Sequence, residues 1–229
     1  MSTDDHHTLG RRHTGYRLLD HPLVGLERRR TALAFAYLGV LSGLFALSYA
    51  GTTVTIGNVA LESMSTRFDT ITAGLIALAT ATITVVPFLY AVWNGGPALA
   101  MGMPLVPVGF GYLAAGRYVL TVDAVIGLTV GAAACALALF ATDVRRAGSL
   151  RPWRRVGLDS ARLIFVTIAT VVAAASVLRF VATTTPRSLE WYAPFGVLWL
   201  VPVCVLACYW QATIRTWREP RAADERVES

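Results

Sequence analysis

From residue 70 to residue 116 the chain contains no Asp, Glu, Lys or Arg. Nothing charged lies between Arg30 and Glu62, or between Glu190 and Arg215. About 20 mostly apolar residues suffice to cross a hydrocarbon core of roughly 30 Å, and the middle run is long enough for two crossings. Over the whole chain only 15% of residues are charged, where soluble domains average about 25%. The expected fold is therefore all-α: a polytopic integral membrane protein built as a six-transmembrane-helix bundle.

The spans fall at about 31–50, 71–93, 97–116, 120–142, 162–185 and 191–214. The turn "NGGP" separates the second from the third: Asn94, Gly95 and Gly96 tolerate conformations closed to bulkier residues, and Pro97 suits the first turn of a new helix. This divides the chain into an N-terminal tail with an interfacial segment (1–30), a transmembrane domain (31–214) and a polar C-terminal tail (215–229). No apolar segment with a small-residue cleavage site precedes the first span, which is expected to act as its own insertion signal. "YRLLDHPLVGLERRR", just before it, mixes Leu and Val with Arg, as a segment lying at the membrane surface would.

Arginine placement sets the orientation. The N-terminal tail carries Arg11, Arg12, Arg17, Arg28, Arg29 and Arg30, the loop after span four Arg145, Arg146, Arg151, Arg154 and Arg155, and the C-terminal tail Arg215, Arg218, Arg221 and Arg226. Positive-inside biasing puts all three in the cytoplasm, which requires an even number of spans. Only Arg67, Arg117 and Arg187 are left for the other side. Both termini are thus expected to be cytoplasmic and the location to be the cell membrane. Trp93, Trp153, Trp210 and Trp217 fall near the inner boundary, and Tyr118, Trp191 and Tyr192 near the outer one, where amphipathic rings prefer to sit. The sizeable external segment, 51–69, reads as a surface connector whose short helix Asn58 would cap.

All the basic residues are Arg and none is Lys, a bias expected of a GC-rich prokaryotic genome. The formal charge of +6 does not point to nucleic acid, because the arginines flank spans rather than share one soluble face. The four histidines all precede span one, so no span offers paired imidazoles to a haem. H-E-x-x-H, G-x-S-x-G and P-loop motifs are missing. Cys135, Cys204 and Cys208 lie in apolar runs and read as small buried side chains. Asp159 and Arg162 have helix-start spacing, which an Asp159 N-cap explains. No catalytic residue, metal ligand or cofactor is expected.

The third span carries many helix breakers, with Gly102, Gly109, Gly111 and Gly116 beside Pro104 and Pro107. Lipid tolerates them where neighbouring helices re-satisfy the backbone, and small residues let helices approach closely. A kinked, centrally packed third helix is expected. Span two has its own Pro87, with Thr80, Thr82 and Thr84 nearby to bond freed carbonyls. Intramembrane charge is sparse: Arg179 lies two turns before the outer end of span five, within reach of Asp123 or Glu190.

Two functions fit. The first is a non-catalytic multi-pass subunit or scaffold that packs against other membrane proteins, or against itself, in the lipid bilayer. The alternative is a small permease-like transporter with a site near the broken third span. Its candidate binding residues are Arg179, Asp123, Gly102, Pro104 and Pro107.

Overall fold

The computed structural model describes residues 21–53, 65–116, 119–154 and 159–227, with side chains described at 21–49, 70–114, 116, 119–153 and 159–215. Asn58, Arg117, Tyr118, Arg155 and most of the 51–69 connector lie outside the described residues. The regular elements are α1 (Arg28–Thr53), α2 (Ser65–Thr84), α3 (Val86–Asn94), α4 (Pro97–Gly102), α5 (Leu105–Ala115), α6 (Val122–Ala147), α7 (Ser160–Thr183), α8 (Pro186–Tyr192) and α9 (Leu200–Val227). Short 3₁₀ segments occupy Pro152–Arg154 and Ala193–Trp199. Among the described residues five stretches are long and apolar enough to cross a membrane, and a sixth arises if α2 and α3 count as one bent span. The chain is an all-α, multi-pass membrane protein.

The bend between α2 and α3 is 51°. Pro87 has no N–H to offer the preceding turn and its ring crowds that turn. The helix restarts at Val85, whose carbonyl accepts from the N–H of both Phe88 and Leu89. The neighbouring threonines do not bond the carbonyl that Pro87 leaves. Thr80, Thr82 and Thr84 instead donate to the carbonyls of Ile76, Leu78 and Thr80, one turn back along α2.

Asn94 ends α3, and Gly95 follows in the left-handed region at φ 68°, its N–H donating to the Tyr90 carbonyl. Gly96 admits no side chain: a Cβ there would lie 1.7 Å from the carbonyl oxygen of Val24. The chain just before α1 is folded beneath this turn, with Ala98 N–H donating to Leu23 O and Leu26 N–H to Asn94 O. The third span breaks between α4 and α5 at Met103 and Pro104, both buried. The Met103 carbonyl, which Pro107 cannot serve, accepts from Val106 N–H.

The central helix is α6. It touches α2, α3, α4, α5, α7, α8 and α9, while α1 packs on α2, α3 and α5. Over an apolar stretch of 18 residues in each, 72% of the residues are buried in α6 against 33% in the third span and 17% in α1. Its middle is built of small side chains, and Ala132, Ala133, Ala134, Cys135, Ala136 and Ala138 are fully buried. Asp123 in its first turn and Arg145 and Arg146 in its last complement the helix dipole.

The glycine that lets the third span approach closely is also on α6. A Cβ at Gly131 would lie 2.8 Å from the Met101 carbonyl oxygen, and one at Gly127 would lie 3.4 Å from that of Pro104. Gly127 and Gly131 are one turn apart, so the broken part of the third span rests on a small-residue face of α6. At Gly102, Gly109 and Gly111 a Cβ would meet nothing within 4 Å. The third span is interrupted between α4 and α5, but its own glycines do not make the close contact.

Candidate functional site

Among the described residues, five of the eight buried polar or charged side chains, Thr31, Asn94, Thr142, Asp143 and Arg162, gather at one end of the bundle. There α1 begins, α3 turns into α4, α6 ends and α7 starts. Two linked clusters occupy that end.

Asn94 organises the first. It is fully buried, and its amide is satisfied on both sides. Nδ2 donates to Thr31 Oγ1 and to the Tyr90 hydroxyl, each at 2.9 Å, and Oδ1 accepts from Glu27 N–H at 3.0 Å. The acceptors pass their own protons on, Tyr90 to the Val24 carbonyl and Thr31 to that of Glu27. Every polar atom of the amide thus ties the start of α1 to the end of α3. A half-satisfied network of this kind would be worse than an apolar core.

Arg162 organises the second. It sits in the first turn of α7, which Asp159 caps by accepting from the N–H groups of Ala161 and Arg162. The Asp159 cap is as expected; the destination of the Arg162 side chain is not. Its side chain is only 1% exposed, and its Nη1 lies 3.8 Å from Asp143 Oδ1. Nη2 donates to the Gly95 carbonyl at 3.3 Å, which also accepts from Thr142 Oγ1 at 3.1 Å. Asp143 receives the Tyr209 hydroxyl on its other oxygen at 2.9 Å. Among the described residues Nε and Nη1 of Arg162 have no hydrogen-bond partner. The pair is therefore held by Coulomb attraction rather than by the parallel double bond of a guanidinium–carboxylate fork. Arg162, Asp143 and Tyr209 join α7, α6 and α9 to each other and to the α3–α4 turn.

This junction was hidden because each member has a local explanation. Asn94 reads as a turn residue, Arg162 as part of a capped helix start, and Asp143 as a charge past the end of a span. One signal does point to it. A short connection makes α6 and α7 antiparallel, so an acid in the last turns of one and a base in the first turn of the other fall at the same level.

The residues expected to bind do not converge. Arg179 is exposed and lines a depression with Val119, Leu120, Ser176 and Thr183 at the opposite end. It makes no ion pair with Asp123 or Glu190, which are also exposed. Pro104 and Pro107 are buried and Gly102 is half-buried, and none of the three lines that depression. Cys135 is buried, Cys204 is exposed and Cys208 is half-buried, all as free thiols. Among the described residues no three His, Cys, Asp or Glu side chains come together where a metal ion could be held.

Chemically, the junction is built to hold helices. Its one carboxylate is occupied by a phenol and a guanidinium, and its amide is saturated. Comparison with protein-family models, with curated proteins and with solved structures finds no match to this chain.

Proposed function

We propose that the protein is a non-catalytic membrane subunit or scaffold that packs against other membrane proteins or a second copy of itself. In this reading the chain crosses the cell membrane six times, with both termini and the polar junction on the cytoplasmic side. One observation carries the reading: the middle of the bundle is filled. The Ala-rich face of α6 is fully buried where the helix meets α3, α4, α7 and α9, and the described grooves lie along the flanks. A permease needs its site near the midplane between its repeats. Here the broken span, which would supply that site, is seated on Gly127 and Gly131.

The faces available to partners are the outward stripes, such as Ile164, Ile168, Val171, Val172 and Leu178 on α7, all exposed. Helix association in lipid is driven by side-chain packing. The test is the size of the particle extracted in mild detergent. The reading expects a stoichiometric membrane partner or a second copy, released by Ile168→Trp with Val172→Trp at unchanged melting temperature. A single chain of unvarying mass, or an assembly indifferent to the α7 variant and to equivalent changes on α1 and α9, would contradict it.

A further inference from the structure

A lateral groove of about 930 Å³ opens between α1 and α3. Its walls are Leu33, Ala34 and Tyr37 on one side and Val86, Leu89 and Val92 on the other, with Met103 at its floor and Arg30 and Arg145 at one end. That volume matches the roughly 300–1,000 Å³ of sites that hold small ligands. The lining is apolar along the helices and cationic at the level where the helices end.

The two arginines come from α1 and α6 yet share one acceptor. Arg30 Nη1 donates to the Trp93 carbonyl oxygen at 2.6 Å, and Arg145 Nη1 donates to the same oxygen at 3.2 Å. Two guanidinium groups held on one carbonyl repel each other. Arg30 has Glu27 as a counter-ion, with its Nε 2.5 Å from the carboxylate. Arg145 is exposed and is not ion-paired among the described residues. A guanidinium carries five N–H donors, so both groups keep donors beyond the shared carbonyl. The Arg30 guanidinium also lies 5.3 Å from the centre of the Trp93 ring, which fixes its position over the groove's end. An anion bound there would relieve the repulsion. An apolar tail attached to that anion would fill the groove.

We propose that this groove binds one anionic phospholipid, with its phosphate between Arg30 and Arg145 and an acyl chain along Leu33, Tyr37, Val86 and Leu89. The occupant is a lipid and not a soluble phosphate, because the apolar walls continue from the cationic end down the helices. It is a lipid and not a protein helix, because the charge sits at one end of an otherwise uncharged wall. Basic pockets between spans are recognised sites for acidic headgroups. The inference stands apart from the subunit reading, since lipid binding is read on the isolated chain and none of the groove's lining residues is on α7.

The full chain, purified in detergent, is titrated with phosphatidylglycerol and separately with phosphatidylcholine, reading bound lipid by native mass spectrometry and melting temperature. Phosphatidylglycerol is expected to bind and stabilise, and phosphatidylcholine to bind far more weakly. Arg30→Gln with Arg145→Gln should weaken phosphatidylglycerol about thirtyfold, about a factor of five for each arginine at a charged lipid surface. Arg179→Gln, at the other end, should leave it unchanged. Leu89→Trp, which fills the groove from an exposed position, should block the lipid while leaving both arginines, and so reports even if the double variant does not fold. Equal binding of the two lipids, full binding to Leu89→Trp, or equal stabilisation by inorganic phosphate alone would each overturn the proposal.

Discussion

Burying Arg162 strips a guanidinium of its hydration, a cost of several kcal/mol for an ion taken into a low-dielectric interior. Asp143, at 3.8 Å, is the charge that offsets it. Removing one partner leaves the other buried and uncompensated. Arg162→Met is therefore expected to destabilise the protein by about 3–5 kcal/mol, seen as a lower melting temperature in detergent. Replacing both charges, Arg162→Met with Asp143→Leu, should recover a large part of that loss, because an apolar pair needs no counter-ion. A double variant as unstable as the single one would show that the ion pair is not what the site depends on. At Asn94 every amide hydrogen-bonding atom has a partner. Asn94→Leu should then cost about 1–3 kcal/mol, the penalty for orphaning buried polar groups such as the Tyr90 hydroxyl and Glu27 N–H.

At the scale of the helices, the close approach of the broken third span to α6 has a sharp test. At Gly131 a Cβ would lie 2.8 Å from the backbone oxygen of Met101, and backbone cannot rotate away. Gly131→Ala should cost about 1–3 kcal/mol, as overpacking does. Gly102→Ala and Gly109→Ala meet open space and should be neutral or slightly stabilising. The reverse ranking would move the packing face back to the third span. These elements also show what a sequence can carry. The long apolar stretches mark where the membrane-length helices of the described residues lie, and "NGGP" locates the α3–α4 reversal, because length and turn chemistry are local properties. The partner of each helix is not local. The third span, with its glycines and prolines, draws the eye as the central element. The Ala-rich fourth span takes that place, because small side chains matter only where another helix meets them. Likewise the polar junction joins residues far apart in the chain, and Arg162 gives no sign of its burial until α6 and α7 are laid side by side.

For the molecule as a whole, the junction gathers the start of α1, the α3–α4 turn, the end of α6 and the start of α7 at one end. That arrangement makes every second connection fall on the same side. This is also the arginine-rich end, which positive-inside biasing would favour for the cytoplasm in the proposed reading. If instead the molecule transports through the third span, Pro104→Ala with Pro107→Ala should abolish uptake of a solute at normal expression. The subunit reading expects those changes to act through stability alone. All readings rest on the membrane crossings, so these are the most direct thing to measure. In a background with Cys135, Cys204 and Cys208 replaced by Ala, single cysteines at Ser149, between α6 and α7, and at Ser188, in α8, are challenged on intact cells with a membrane-impermeant thiol reagent. The account predicts labelling at position 188 from outside and at position 149 only after the membrane is opened. Labelling of both from outside, or of position 149 alone, would contradict the six-crossing bundle with its polar junction on the cytoplasmic side.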